Sequence, residues 1–155
     1  MSGTTTYLIT GANRGIGKGL LETFVLRPET TVIAAVRDVV KSTQDLSAIK
    51  VGKDSKLIIV KIDSTYDTDP ADAVKELKSR HNITKIDVLI SNAGLMGVVA
   101  PTLATPPQEV RNQLAVNTIG PLVLMFVLFP YKIANFFFCG SPEDRRCQKS
   151  IALSS

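Results

Sequence analysis

The chain has 155 residues, which suits one domain and is tight for two. With 45% apolar and 21% charged residues it holds enough hydrophobic material for a packed interior, which excludes a disordered tail or a fibre. Its 18 basic and 14 acidic residues give a net charge of +4, spread along the chain with no block of like charge, so a nucleic-acid partner is not expected.

Residues 1–6 show neither the basic region nor the apolar core of a secretory leader. The two cysteines, Cys139 and Cys147, lack CxxC spacing. Both features favour a reducing, cytoplasmic location. Between Arg111 and Lys132 no charged residue occurs, but the stretch includes Asn112, Gln113, Asn117, Thr118 and two prolines. Its densest part, residues 119–131, falls short of the roughly 20 apolar residues a bilayer span needs. A buried helix is expected there, with no membrane partner.

Apolar runs alternate with helical patterns in a β-α-β-α order, which implies a parallel sheet. Tyr7-Leu8-Ile9 reads as a short buried strand, followed by a glycine-rich turn and then Leu20, Leu21, Phe24 and Val25 at helical spacing, stopped by Pro28. Residues 31–36 are apolar on both faces, as a central parallel strand should be, and a helix follows over 38–49. A third strand is predicted over 56–62, and Asp69-Pro70 then reads as a helix start, with Asp69 as the cap. Val74 and Leu77 give that helix its apolar face. The fourth strand covers 87–91, and Thr105 and Gln108, three residues apart, resemble the capping box of a fourth helix. On that helix Val110, Leu114, Asn117 and Pro121 share one face. After Met125 the pattern degrades: Pro130 breaks the helix, residues 135–139 are aromatic without a period, and 140–146 are polar and turn-rich.

Thr10-Gly11-Ala12-Asn13-Arg14-Gly15-Ile16-Gly17 joins the first strand to the first helix. Glycines let a backbone turn tightly and approach a pyrophosphate, whose charge the helix N-terminal N–H groups then hold. The bland alternative is a glycine turn without a ligand. Asn117, placed by the helical repeat on the apolar face, is either a structurally satisfied core amide or a functional one on pattern alone. His81, the only histidine, reads as a surface residue with no zinc partner set around it.

The glycine motif, TGxxxGxG between a strand and a helix, resembles that of the short-chain dehydrogenase/reductase family. The resemblance implies an α/β, Rossmann-like parallel sheet of about four strands, a truncated doubly wound fold. It also implies an NADP-type cofactor held by Thr10, Gly11, Asn13, Arg14, Gly15, Ile16 and Gly17. Asp63 matches the family aspartate that contacts adenine, and Ser91-Asn92-Ala93-Gly94 resembles the family's NNAG, with serine in the first place. Asn92, Ala93 and Gly94 would line the cofactor side of the sheet edge. Arg37 ends the second strand 20 residues beyond Gly17, where an acid would suit the ribose hydroxyl of NAD and an arginine suits a 2′-phosphate. With Arg14 it favours NADP over NAD, although Asp38 is adjacent. Asn117 stands at the family's catalytic asparagine position, in the stretch Asn117-Thr118-Ile119-Gly120-Pro121. Together with Arg37 and the NAG segment, the motif looks most like that of fungal ketoreductases acting on aromatic polyketides.

The family's proton donor is a tyrosine in YxxxK, preceded by a serine. Four residues after Tyr7, Tyr66 and Tyr131 stand Gly11, Pro70 and Asn135, so the 155 residues contain no YxxxK. Of the family's catalytic positions only Asn117 is present. The resemblance is expected to cover residues 1–124 as an NADP-binding domain, with 125–155 a divergent tail from a shifted frame, a retained intron or a degenerated gene. A fourth strand with no outer neighbour would expose the backbone of Val88, Leu89 and Ile90, inviting self-association and marginal stability that NADP binding would offset. Two functional classes follow: an oxidoreductase reducing ketones, and a non-catalytic nucleotide-binding or interaction module.

Overall fold

In the computed structural model, which describes residues 4–98, 100–131 and 133–138, every residue of the strand Thr30–Val36 (β2) is buried. A segment apolar on both faces can be accommodated only inside a sheet covered on both sides. Neighbouring strands Thr5–Thr10 (β1), Lys56–Lys61 (β3), Val88–Ser91 (β4) and Asn135–Phe138 (β5) complete a five-stranded parallel sheet in the order β3-β2-β1-β4-β5. Leu8 is in register with Ile33 on one side and Leu89 on the other.

The period of two along each strand sorts side chains into two cores. Leu8, Ile33, Ala35, Ile58, Val60 and Leu89 point to one face and pack with Ala73 and Leu77 of helix Asp69–His81 (α3), and with Leu124 and Leu128 of helix Gly120–Leu128 (α5). Ile9, Val32, Ala34, Val36 and Ile90 point to the other. They meet Leu20, Leu21, Phe24 and Val25 of helix Gly15–Val25 (α1) and Leu46 of helix Val39–Ser47 (α2). Each such leucine or isoleucine contributes about 1.5–3 kcal/mol on burial.

The fourth strand is not an open edge. β5 pairs with it in parallel, Leu89 against Phe136 and Ile90 against Phe137, so the row of Val88, Leu89 and Ile90 backbone groups expected to drive self-association is covered. The triple phenylalanine, which has no legible period by itself, is a strand because β4 offers it a ladder. α5 runs through position 124 to Leu128 without a break, and β5 joins the sheet beside β4. Cys139, Cys147 and the polar run 140–146 lie outside the described residues.

Two helix starts differ from expectation. The cap of α3 is Thr68, and Asp69 is the first helical residue; its carboxylate reaches back instead to the Asp63 amide. Helix Pro107–Leu114 (α4) begins after Pro106 with no side-chain cap, because Thr105 turns its hydroxyl to Pro101 O and Gln108 donates to Asn112. The expected capping box does not form.

α4 and α5 are joined by a π-helical turn, Ala115–Ile119, in which Gly120 N donates to Ala115 O, five residues back. Pro121 has no N–H to give the Asn117 carbonyl four residues earlier, and a wider turn accommodates that missing bond. The extra residue per turn rotates the helix face. Pro121 is consequently buried while Val110 and Leu114 are exposed, so the face expected to be common to them is split. Pro107–Tyr131 forms one 25-residue helical rod, long and apolar enough by length and composition to cross a membrane. The helix expected to be buried is covered on one face only: Pro121, Leu124 and Leu128 are buried, while Ile119, Leu122, Phe126 and Phe129 are exposed.

Candidate functional site

The C-terminal ends of β1 and β4 are tied together by one threonine. Thr10 Oγ1 accepts from Asn92 N at 3.0 Å and Ala93 N at 2.9 Å, and Asn92 Nδ2 returns a bond to Thr10 O at 2.9 Å. A buried hydroxyl that accepts two amides holds the two loops at a fixed separation. Gly11 continues the sheet through Gly11 N to Ala35 O at 2.9 Å, then turns at φ +64°.

The second and third glycines of the motif have different reasons to be glycine. Gly15 sits at φ +55° with open space where a Cβ would project. At Gly17 a Cβ would stand 2.4 Å from Gly11 O and 2.5 Å from Asn92 Nδ2, so only glycine permits the contact of α1 with the two loops. Arg14, extended at φ −156°, precedes α1 and gives it no side-chain cap. The first-turn N–H groups of a helix lack intrahelical partners, so a helix start of this kind accepts an anion. Ile16 is exposed beside it, and Asn13 is braced by its Nδ2 donating to Ser42 Oγ of α2 at 3.2 Å.

Arg37 is exposed immediately after β2. The neighbouring acid, Asp38, is committed: it caps α2 by accepting from Lys41 N at 3.1 Å and pairs with Lys41 Nζ at 3.7 Å. After β3, Asp63 Oδ1 accepts from Thr65 N at 3.0 Å and Thr65 Oγ1 at 2.7 Å, while its own amide donates to Asp69 Oδ2 at 2.9 Å. A small cleft opens here, lined by Thr10, Ile62, Ser64, Ser91, Gly120 and Pro121 among others.

Asn117 is half-buried rather than enclosed in a core. Both polar atoms of its amide bond Leu95, with Nδ2 donating to Leu95 O at 2.8 Å and Oδ1 accepting from Leu95 N at 2.8 Å. It thereby attaches the segment following Gly94 to the π turn. Thr10, Gly11, Gly17, Asn92 and Ala93 thus form one contiguous group; Asn13, Arg14, Gly15 and Ile16 complete the turn in front of it; Arg37 and Asp63 stand at the ends of the two adjacent strands. Ser42, Leu95 and Asp69 are contributors that motif reading does not find. Only Asp69 had a signal, the Asp-Pro pair, and it pointed to a different role. His81 is half-buried in the last turn of α3, and no three His, Cys, Asp or Glu residues cluster for a metal among the described residues.

A parallel sheet with a glycine turn and an uncapped helix at the carboxyl ends of its strands defines a Rossmann-like protein. The family profile described as short chain dehydrogenase matches residues 5–135, and the chain belongs to that family. It is 44% identical over 144 residues to the norsolorinic acid ketoreductase nor1 of Dothistroma septosporum, a match covering 89% of this chain and 54% of that protein. The chain thus spans about half the length of the curated relatives it matches. Among solved structures, the putative carbonyl reductase Sniffer of Caenorhabditis elegans is similar at a TM-score of 0.72 and 31% identity, over 84% of this chain and 54% of that one. The 3-ketoacyl-(acyl-carrier-protein) reductase from Brucella melitensis complexed with NADH is similar at 0.71 and 26%, over 83% and 50%.

Proposed function

We propose that these residues form the NADP(H)-binding part of a ketone reductase of the short-chain dehydrogenase family. The observation that carries this reading is the uncapped start of α1, presented by Gly11, Gly15 and Gly17 and locked to Asn92 and Ala93 through Thr10. The Gly15 face is open, which suits a pyrophosphate approaching the backbone. The 2′-phosphate preference rests on Arg37 and Arg14. That Asp38 caps α2 and pairs with Lys41 supports the neighbouring exposed Arg37 as the residue that would set the preference. Asp63 would meet the adenine and Asn92, Ala93 and Gly94 the ribose and nicotinamide side.

A bound nicotinamide supplies a hydride to a carbonyl carbon, and the similarity to nor1 of Dothistroma septosporum supports an aromatic polyketide ketone as the substrate class. The carbonyl oxygen then needs a proton donor, and the 155 residues hold no YxxxK pair to supply it. For this chain by itself that favours the second reading, nucleotide binding without turnover, with Asn117 positioning the loop after Gly94. Titrating the purified chain with NADPH and NADH by nicotinamide fluorescence, followed by incubation with a panel of aryl ketones, tests both. The expected result is NADPH binding tighter than NADH and no ketone consumption. Absence of NADPH binding would sink the proposal, and turnover would overturn the second reading.

A further inference from the structure

We infer that Asp69 is a positioning residue for adenine recognition, acting through Asp63; the inference rests on the proposed cofactor reading. Asp69 is 9% exposed, unusual for a carboxylate, and it is fully engaged. Oδ2 accepts from the Asp63 amide at 2.9 Å and pairs with Lys61 Nζ at 3.2 Å, and Oδ1 accepts from the same ammonium at 3.3 Å. Lys61 and Asp63 flank the point where the chain leaves β3, so one carboxylate grips the strand end on both sides of Ile62.

The loop from Asp63 to Asp69 is closed at both ends. Tyr66 N donates to Asp63 O at 3.0 Å and Asp69 N to Tyr66 O at 3.3 Å. Its outer wall is α5, where a Cβ on Gly120 would stand 2.8 Å from Ser64 Cβ. Asp63 itself spends Oδ1 on Thr65, and none of the described residues bonds its Oδ2. With the Asp63 backbone fixed by its amide bond to Asp69 and Oδ1 taken by Thr65, Oδ2 is the oxygen left to accept a further hydrogen bond. A carboxylate only accepts hydrogen bonds, and the matching donor on an adenine is its exocyclic amine. Asp69 therefore sets where that acceptor stands without touching the base.

The experiment compares NADPH with reduced nicotinamide hypoxanthine dinucleotide phosphate, in which an oxo group replaces the amine. The unsubstituted chain should bind NADPH about tenfold more tightly than the analogue, the scale of one hydrogen bond to a charged group. Asp63→Ala should erase that preference. Asp69→Ala should erase it too, and should change nothing further in an Asp63→Ala background, as residues acting through one another do. Asp69→Asn keeps a carbonyl acceptor for the Asp63 amide and should retain part of the preference, which provides a reading even if Asp69→Ala fails to fold. A structural role alone would weaken both nucleotides equally and keep their ratio, which would overturn the inference while leaving the cofactor reading intact. Equal binding of the two nucleotides by the unsubstituted chain would overturn Asp63 as the amine acceptor, and the inference with it. No NADPH binding at all would overturn both.

Discussion

Asn117 and Leu95, 22 residues apart, exchange two hydrogen bonds of 2.8 Å each, so that one side-chain amide satisfies both backbone groups of a single residue. Only an amide offers a donor and an acceptor in one plane at this reach. Asn117→Ala loses both bonds and is expected to lower the unfolding free energy by about 1–2 kcal/mol. Asn117→Asp can still accept from Leu95 N but sets a carboxylate oxygen against Leu95 O, and should cost at least as much. Urea unfolding measures both; an aspartate variant with the unsubstituted midpoint would show that the reciprocal pair contributes nothing.

Gly15 and Gly17 should respond differently to alanine. At Gly15 the cost is conformational, from φ +55° with open space around the Cβ, and is expected to be about 1–2 kcal/mol. At Gly17 the new methyl would collide with Gly11 O and Asn92 Nδ2, so α1 must move away from both loops, at about 1–3 kcal/mol or more. Gly17→Ala should therefore lose NADPH binding more than tenfold, and Gly15→Ala less. The check is the dissociation constant of each variant beside its thermal midpoint. Equal losses of affinity would mean that contact with the Asn92 loop is not what the third glycine provides.

Much of the fold was legible because its causes are local. β2 is apolar on both faces and the glycine turn needs positive φ, so strand, turn and first helix follow from residue type. Within the candidate site, the two segments that Thr10 ties together, Thr10 to Gly17 and Asn92 to Gly94, were each legible as motifs because their residues are consecutive in sequence. What was not legible depends on distant partners. Asn135-Phe136-Phe137-Phe138 becomes a strand only beside β4, and Asp69 becomes a loop anchor only because Lys61 and Asp63 come within reach of its carboxylate. The exposure of Val110 and Leu114 turns on the π turn that Pro121 accompanies, which a strict 3.6-residue repeat does not register.

The neighbours Arg37 and Asp38 should separate cleanly in cofactor selection. Arg37 is exposed, whereas Asp38 is tied to Lys41 as the cap of α2. Arg37→Ala is expected to weaken NADPH binding about tenfold and leave NADH within about twofold, since a guanidinium contributes by pairing with the 2′-phosphate. The NADPH advantage of the unsubstituted chain should shrink as salt is raised. Asp38→Ala should cost about 1 kcal/mol of stability through the lost cap and leave the NADPH-to-NADH ratio unchanged. A ratio that shifts strongly with Asp38→Ala would show that this acid faces the ribose after all.

Phe136 and Phe137 provide a test of the β5 ladder, because neighbouring strand residues point to opposite faces. Phe137 is half-buried, in register with Ile90, and packs against the core under α1 and α2; Phe136 is 41% exposed. Phe137→Asp puts a charge against that core and should cost about 2 kcal/mol or more, whereas Phe136→Asp should stay within about 1 kcal/mol. Loss of β5 pairing reopens the backbone of Val88, Leu89 and Ile90, so light scattering at elevated concentration should rise for Phe137→Asp alone. Comparable destabilisation by the two variants would contradict the parallel pairing of β5 with β4. Comparable scattering would mean that the edge of β4 is not what β5 protects.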